Sequence, residues 1–309
     1  MKYVSNIYLF LIMVMACEQV VEIDIPDHES QLVLSSFYEA GDSSITAYLT
    51  KSIGILDDED SDDVWGATIN LYENDMFIGQ FKERADTTYR FDLLGFDHNG
   101  HPVFQEEFTN IFPCYHLNLS TPLEQGKTYK ITAEVSDYVG ISAIQQLPAI
   151  LNIGTVTYLP VSGFSLNGYL MDVLQFTLED VGGKDDYYEF KVYSGNGSIS
   201  NANFYPRYIE SYTLGIEQGK FGMLLLNDDL FDGNTYDIEL LIRPEDTTYS
   251  EIHIEISSIS RDKYLFAKSL EAYYNVEENP FAEPVIVHTN IENGQGIFSM
   301  ENKTEIIIE

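Results

Sequence analysis

The feature that most constrains the fold is a long series of short β-type segments separated by turn-forming residues. Runs of β-branched and aromatic residues alternate with polar ones from residue 31 to 148, and Gly, Asn and Asp residues separate them. A second series continues to residue 256. This pattern predicts an all-β fold. The predicted strands are 32–38, 45–49, 67–72, 89–93 and 129–135 in the first series, and 155–159, 170–178, 187–193, 208–214, 222–226, 236–242 and 252–256 in the second.

Strands of this length and spacing are typical of immunoglobulin-like and fibronectin-like β-sandwiches. The frame Gly-x-Thr-Tyr-x-Ile occurs once in each series. Its tyrosines, Tyr129 and Tyr236, are predicted to hold sandwich corners by hydrogen bonding back to the preceding loop. We therefore predict two tandem β-sandwiches, over residues 31–148 and 149–309. One elaborated β domain is the alternative.

One helix is predicted, over residues 260–278. Ser260 can cap its N-terminus, and the acidic Asp262 complements the helix dipole. The helix is expected to pack on the second sandwich through one apolar face. That face comprises Phe266, Ala267, Leu270, Tyr273 and Tyr274. After the helix, Gly294 and Gly296 are expected to form a closing hairpin between 285–291 and 297–298.

The first residues have the pattern of an export signal. The apolar segment 7–16 follows Lys2 and is far shorter than the ~20 residues of a membrane span. It ends in Val-Met-Ala-Cys, the residue order of a bacterial lipobox, so residues 1–16 are predicted to be removed and Cys17 to be acylated. Residues 17–30 are then an acidic tether. The alternatives are an ordinary secretory signal, with Cys17 incidental, and a first edge strand in place of the tether.

The charge and cysteine content exclude some classes of protein. The chain has 50 acidic and 16 Lys or Arg residues, a net charge of −34, which excludes nucleic acid as a main ligand. Membrane attachment is expected through acyl chains, because anionic head groups would repel this surface. The chain has two cysteines. With Cys17 acylated, no disulfide framework supports the fold.

A cluster of nitrogen and sulfur donors lies in the first half of the chain. His98, His101, Cys114 and His116 supply the four ligands of a tetrahedral zinc site, and these ligands also suit copper. The alternative is an irregular, proline-containing surface loop with a half-buried thiol. The acidic run 57–63 is interpreted as a solvated loop, because it lacks the glycine and distal glutamate of an EF-hand.

No enzyme signature is present, whether a serine-hydrolase elbow, a zinc-protease motif, a phosphate-binding loop or a dinucleotide-binding fingerprint. The sequence therefore predicts a protein that is not an enzyme. A surface hydrolase is the alternative, but no nucleophile with a base supports it.

Motifs near both ends of the chain resemble a Bacteroidota lipoprotein family catalogued as domain of unknown function 4249. The C-terminal motifs are Asn-Pro-Phe-x-x-Pro at 279–284 and Asn-Ile-x-x-Gly-x-Gly-Ile-Phe at 290–298, and the N-terminal ones are Glu-Ile-Asp-Ile-Pro at 22–26 and Gly-Ala-Thr-Ile at 66–69. Members are typically encoded beside TonB-dependent receptors. The resemblance implies a lipid-anchored accessory or binding component of an outer-membrane uptake system, facing the cell surface, with such a receptor as partner. It supplies no catalytic residues. The alternative function is a surface lipoprotein that scavenges zinc or copper.

Overall fold

The structure is a computed structural model that describes residues 28–54, 63–96, 102–165, 167–195, 205–219, 222–243, 251–276, 283 and 285–308. The described helix, α1, is Arg261–Val276. The described strands are β1 Leu32–Glu39, β2 Ser44–Lys51, β3 Thr68–Glu73, β4 Met76–Gln80, β5 Lys82–Phe96, β6 Pro102–Asn118, β7 Thr128–Glu134, β8 Ile141–Gln146, β9 Asn152–Ile153, β10 Thr157–Phe164, β11 Leu170–Glu179, β12 Tyr187–Gly195, β13 Tyr205–Pro206, β14 Ile209–Glu210, β15 Glu217–Gln218, β16 Leu224–Asn227, β17 Thr235–Ile242, β18 Glu251–Ile259 and β19 Gln295–Ile308.

The described strands form three sheets around two large hydrophobic cores, which confirms the all-β sandwich class. A ten-stranded sheet runs in the order β15-β16-β12-β18-β19-β1-β2-β6-β5, with β13 attached to β12. A four-stranded sheet, β4-β3-β7-β8, packs on one half of it. A five-stranded sheet, β10-β11-β17-β14 with β9 beside β11, packs on the other half. Alternating buried positions, as in β1 and β7, direct one face of each strand into a core.

The last strand, β19, belongs to both cores. Its first half pairs in parallel with β1, and its second half pairs antiparallel with β18. Phe298 and Met300 pack in the first core, together with Ile291. Ile306 and Ile308 pack against the second. Up to β18, the predicted boundary at 148/149 separates the residues of the first core from those of the second. β19 contributes to both cores and joins the two halves through one continuous sheet.

The closing hairpin predicted around Gly294 and Gly296 is wrong. Residues 285–291 form no strand, and the two glycines lie beside β1 instead. A Cβ atom on Gly294 would lie 2.7 Å from the Leu32 carbonyl oxygen, and one on Gly296 would lie 2.0 Å from that of Leu34. The glycines are needed because the backbones of β1 and β19 approach closely, and Gly296 also has a φ of +103°.

The remaining residues of the C-terminal motif extend this junction. The Asn290 side chain accepts a hydrogen bond from the Phe298 N–H at 2.9 Å and donates one to the Phe298 carbonyl at 2.8 Å. The Asn290 amide thus satisfies the Phe298 backbone N–H and carbonyl, as a paired strand would. Motif residues 290–298 therefore form the structural junction between the two halves.

The segment expected to be an irregular loop around residues 98–116 is mostly strand. β6 pairs with β5 from residue 102 to residue 116, while β2 pairs only with residues 115–118 of β6. The prolines did not prevent this, because Pro113 lies beyond β2 and has a strand on one side only. Residues 97–101 lie outside the described part of the chain.

Helix α1 packs on the ten-stranded sheet in the second half of the molecule, as predicted. Ser260 caps it, because its Oγ accepts a hydrogen bond from the Lys263 N–H at 3.2 Å. The predicted buried face is wrong in part: Lys263, Tyr264 and Ala267 are buried, whereas Tyr273 and Tyr274 are exposed. The sheet under the helix carries a buried carboxylate, that of Glu189, and Lys263 pairs with it at 3.0 Å, so the buried face includes a lysine that the apolar period does not.

One of the two predicted tyrosine corners is present. The Tyr129 hydroxyl accepts a hydrogen bond from the Glu124 N–H at 2.9 Å, in the loop that precedes its strand. The Tyr236 hydroxyl donates to the Leu214 carbonyl at 2.7 Å, in a different connection. Tyr236 instead stacks on Phe231, with ring centroids 4.3 Å apart.

Candidate functional site

The predicted lipid anchor lies outside the described residues. Cys17 and most of the tether 17–30 precede residue 28, where the description begins. Of the helices in the described ranges, none combines the length and the apolar character needed to cross a bilayer.

Two of the four predicted metal ligands are described, and both lie on β6. Cys114 is buried, and burial raises the pKa of its thiol, which disfavours the thiolate that binds metals. The His116 ring lies among polar side chains: its Nε2 is 3.1 Å from Ser44 Oγ, and its Nδ1 is 3.3 Å from Thr46 Oγ1. The other two, His98 and His101, fall outside the described residues.

The length of β6 argues against one site that contains all four donors. Pro102, the residue after His101, begins the strand, and Cys114 lies 12 positions further along it. At about 3.3 Å per residue these two positions are roughly 40 Å apart. The donors of one zinc ion must all lie about 2.0–2.3 Å from it. The distance along β6 therefore argues against all four residues of one chain binding the same ion. Zinc or copper binding through this set stays a prediction.

A different cluster of possible ligands lies at one end of the second sandwich. Asp180 follows β11, and Asp228 and Asp232 lie in the connection between β16 and β17. One carboxylate oxygen from each of the three residues lies within 4.8 Å of the other two. We call these three residues the aspartate cluster.

The loops that carry the cluster are held together by their backbones. The Gly233 N–H donates to Asp180 Oδ2 at 2.7 Å, and the Gly183 N–H donates to Asp232 Oδ1 at 2.8 Å. A Cβ atom on Gly182 would lie only 2.7 Å from the Gly233 Cα, so two glycines are needed where the loops touch. Each loop thus donates an N–H to a carboxylate of the other, and this exchange fixes the cluster.

The buried member of the cluster is Asp228. Its side chain is 3% exposed, and within the described part of the chain its Oδ2 has no hydrogen-bond partner. Burial raises the pKa of Asp228, and the nearby charges of Asp180 and Asp186 raise it further. The nearby Lys184 pairs with Asp186 at 2.8 Å, and in the described residues no ion pair joins a cation to the cluster itself.

An aromatic stack lies directly beside the cluster. The Tyr188 hydroxyl donates a hydrogen bond to Asp180 Oδ1. The Tyr188 and Phe231 rings stack with centroids 6.2 Å apart, and Phe231 stacks in turn on Tyr236. The stack belongs to the second core and supports the loops from below.

Sequence reasoning missed this cluster. In the sequence, Asp228 and its neighbours resemble an ordinary turn, because acidic pairs recur throughout so acidic a chain. A local signal was present, since Asp228, Asp232 and Gly233 give an oxygen-rich, glycine-containing turn. The third carboxylate, 48 positions earlier in the chain, could not have been assigned to it without the fold.

A second surface feature is the exposed turn of the β10–β11 hairpin. Phe164 is 61% exposed, Tyr169 65% and Leu170 52%. Tyr212 adjoins them, because its hydroxyl donates to the Phe164 carbonyl at 2.9 Å. We call these four residues the hairpin patch. Contiguous exposed apolar surface of this kind commonly marks an interaction site.

A family model described as "Domain of unknown function (DUF4249)" matches residues 18–307. No curated protein matches the chain. Among solved structures, the B domain of a biofilm-associated protein aligns at 6% identity, over 90% of this chain and 85% of that one, with a TM-score of 0.21. The collagen adhesin from S. aureus aligns at 10% identity, over 90% and 92% of the two chains, with a TM-score of 0.20. With TM-scores this low, neither likeness bears on the function of this chain.

Proposed function

Because this chain belongs to the DUF4249 family, we propose that it is a lipid-anchored protein of the outer membrane that acts as a binding component of a TonB-dependent uptake system and catalyses no reaction. The observation that carries the proposal is where the family match begins. It starts at residue 18, directly after Cys17, so the export signal read from the sequence precedes the part that defines the family. This agrees with a mature chain that begins at an acylated Cys17.

A tether of this kind makes weak contacts sufficient. A lipid anchor confines the sandwiches to the membrane surface, which raises their effective concentration near a receptor in the same membrane. The hairpin patch is the surface we assign to that contact. Its aromatic side chains are exposed at the end of the β10–β11 hairpin, and aromatic residues are enriched at interfaces.

The anchor is tested with the two cysteines of the chain. Cells that produce wild type, Cys17→Ser or Cys114→Ser are fed an alkyne-tagged fatty acid, and the protein is then isolated and fractionated. We expect the label and the membrane fraction in wild type and Cys114→Ser, and loss of both in Cys17→Ser. An unlabelled wild type, or a labelled Cys17→Ser, would contradict the anchor.

The partner is tested by co-purification after mild detergent extraction, followed by identification of the retained proteins. We expect a TonB-dependent receptor with wild type, and at least tenfold less receptor with the double substitution Phe164→Ser and Tyr169→Ser. Phe77→Ser is the matched control, because Phe77 is 60% exposed but lies on β4 of the other sandwich. Equal recovery from all three proteins would remove the hairpin patch from the proposal, and no receptor with wild type would remove the uptake role.

The alternative, a surface protein that scavenges zinc or copper, receives less support from the structure. Cys114 is a buried thiol, and the length of β6 separates it from the residue that follows His101. Metal analysis of the purified chain tests it. One bound zinc or copper ion per chain, lost on Cys114→Ser, would favour scavenging over the uptake role.

A further inference from the structure

We propose that the aspartate cluster is a calcium-binding site that links the two sheets of the second sandwich. Asp180, Asp228 and Asp232 supply the carboxylate ligands, and the ion takes the place of the missing partner of Asp228. Calcium binding here requires neither the lipid anchor nor a receptor.

Asp228 has an unsatisfied carboxylate oxygen in the described part of the chain. A buried, unpaired carboxylate oxygen is costly, because it has lost its water and gained no donor. Asp228 is 3% exposed, its Oδ2 has no hydrogen-bond partner in the described residues, and two further carboxylates adjoin it. Such an oxygen is satisfied by a hydrogen-bond donor or by a cation. Lys184, which follows Asp180 on the same connection, is engaged by Asp186.

The donor atoms of the cluster favour calcium over other ions. The cluster offers oxygen donors alone, which hard cations prefer, whereas zinc and copper favour nitrogen and sulfur. Calcium binds its oxygens at about 2.3–2.6 Å, so two ligands of one ion lie at most about 5 Å apart. The separations within 4.8 Å in the cluster meet this limit. Magnesium demands near-ideal octahedral geometry, which ligands fixed on two packed loops satisfy less readily.

The ion would join two connections that each lead from one sheet to the other. Asp180 follows β11 of the five-stranded sheet, on the connection that leads to β12 of the ten-stranded sheet. Asp228 follows β16 of the ten-stranded sheet, on the connection that leads to β17 of the five-stranded sheet. An ion held by both connections ties the sheets together at this end of the sandwich. It also removes the repulsion among the three carboxylates, so it stabilises the folded state alone.

The test uses terbium and calcium on the purified full chain. Terbium binds at calcium sites and luminesces when a nearby tyrosine is excited, and Tyr188 is hydrogen-bonded to Asp180. We expect saturable luminescence that calcium displaces and equimolar magnesium does not. Calcium at ten times its dissociation constant should raise Tm by about 3 °C. Asp228→Asn should weaken terbium binding at least tenfold.

The controls separate a site from general screening of the net charge of −34. Asp75→Asn removes an exposed carboxylate from the β3–β4 turn of the first sandwich and should leave binding unchanged. Asp232→Asn alters the exposed member of the cluster, so it tests the proposal even where Asp228→Asn fails to fold, as judged by circular dichroism. The proposal is overturned by the absence of a sensitised signal, by equal displacement with magnesium, or by unchanged binding in Asp232→Asn.

Discussion

Gly296→Ala, at the junction between the two halves, is expected to cause a large loss of folding stability. The added methyl would lie 2.0 Å from the Leu34 carbonyl oxygen and 2.9 Å from its carbonyl carbon, both backbone atoms of a buried strand. Neither atom can rotate away. The strands β1 and β19 must therefore separate by more than ~1 Å to restore an ordinary contact, which breaks hydrogen bonds of their seven-residue parallel register.

The expected cost combines two contributions. A non-glycine residue at a φ of +103° costs about 1–3 kcal/mol. The loss of two to three ladder hydrogen bonds adds roughly 1–4 kcal/mol. The sum, about 2–7 kcal/mol, is a large part of the 5–15 kcal/mol that a typical protein has in total. We expect Gly296→Ala to be partly unfolded at room temperature or to unfold at much lower urea concentration than wild type.

Urea unfolding measures this directly. The single tryptophan, Trp65, is in the first sandwich, so its fluorescence reports that half, while far-ultraviolet circular dichroism reports the whole chain. Gly126→Ala is the matched control, because Gly126 has a φ of +77° and nothing within 4 Å of the added Cβ. It should lose only about 1 kcal/mol. Equal losses in the two variants would refute the reasoning, because the contact with Leu34 would then contribute nothing.

Four further predictions concern buried groups and the helix cap. Glu189 lies within 3.0 Å of Lys263, and both are buried; either Glu189→Gln or Lys263→Met should destabilise the chain by about 3–5 kcal/mol, and the double variant by less than the sum, in urea unfolding. Burial alone would raise the pKa of Glu189, but the positive charges of Lys263 and Lys191 outweigh burial and lower that pKa. The stability that the Glu189–Lys263 pair confers is therefore present above the unfolded pKa of about 4.3 and is lost as pH falls through the lower, folded value. The difference in urea midpoint between wild type and Glu189→Gln should shrink on acidification. Burial raises the pKa of the Cys114 thiol, so a thiol reagent at pH 8 should modify it slowly in the folded chain and rapidly in urea, and equal rates would contradict its placement. Ser260→Ala removes the cap of α1 and should cost about 1 kcal/mol, whereas Ser260→Asp should cost much less.

Much of the secondary structure could be read from the sequence because alternation along a strand is a local property. The predicted runs 32–38, 170–178 and 236–242 each fall within an observed strand, and Ser260 caps the helix as expected. Predictions that depended on distant partners did less well. The apolar face of α1 was assigned by period alone, but the buried Glu189 under the helix pairs with Lys263. Residues 102–116 of the loop assigned around 98–116 are strand, because β5 pairs with them.

The sequence by itself determined the class of the molecule: short alternating segments give β-strands, few cysteines leave packing to hold the sheets, and 50 acidic residues make the surface anionic. Only the tertiary structure decided how the two halves connect and where carboxylates meet. The pairing of β19 with β1 joins segments more than 250 positions apart, and the aspartate cluster joins Asp180 to residues about 50 positions later. Both arrangements depend on backbone approach in three dimensions, which glycines permit but local sequence patterns do not specify.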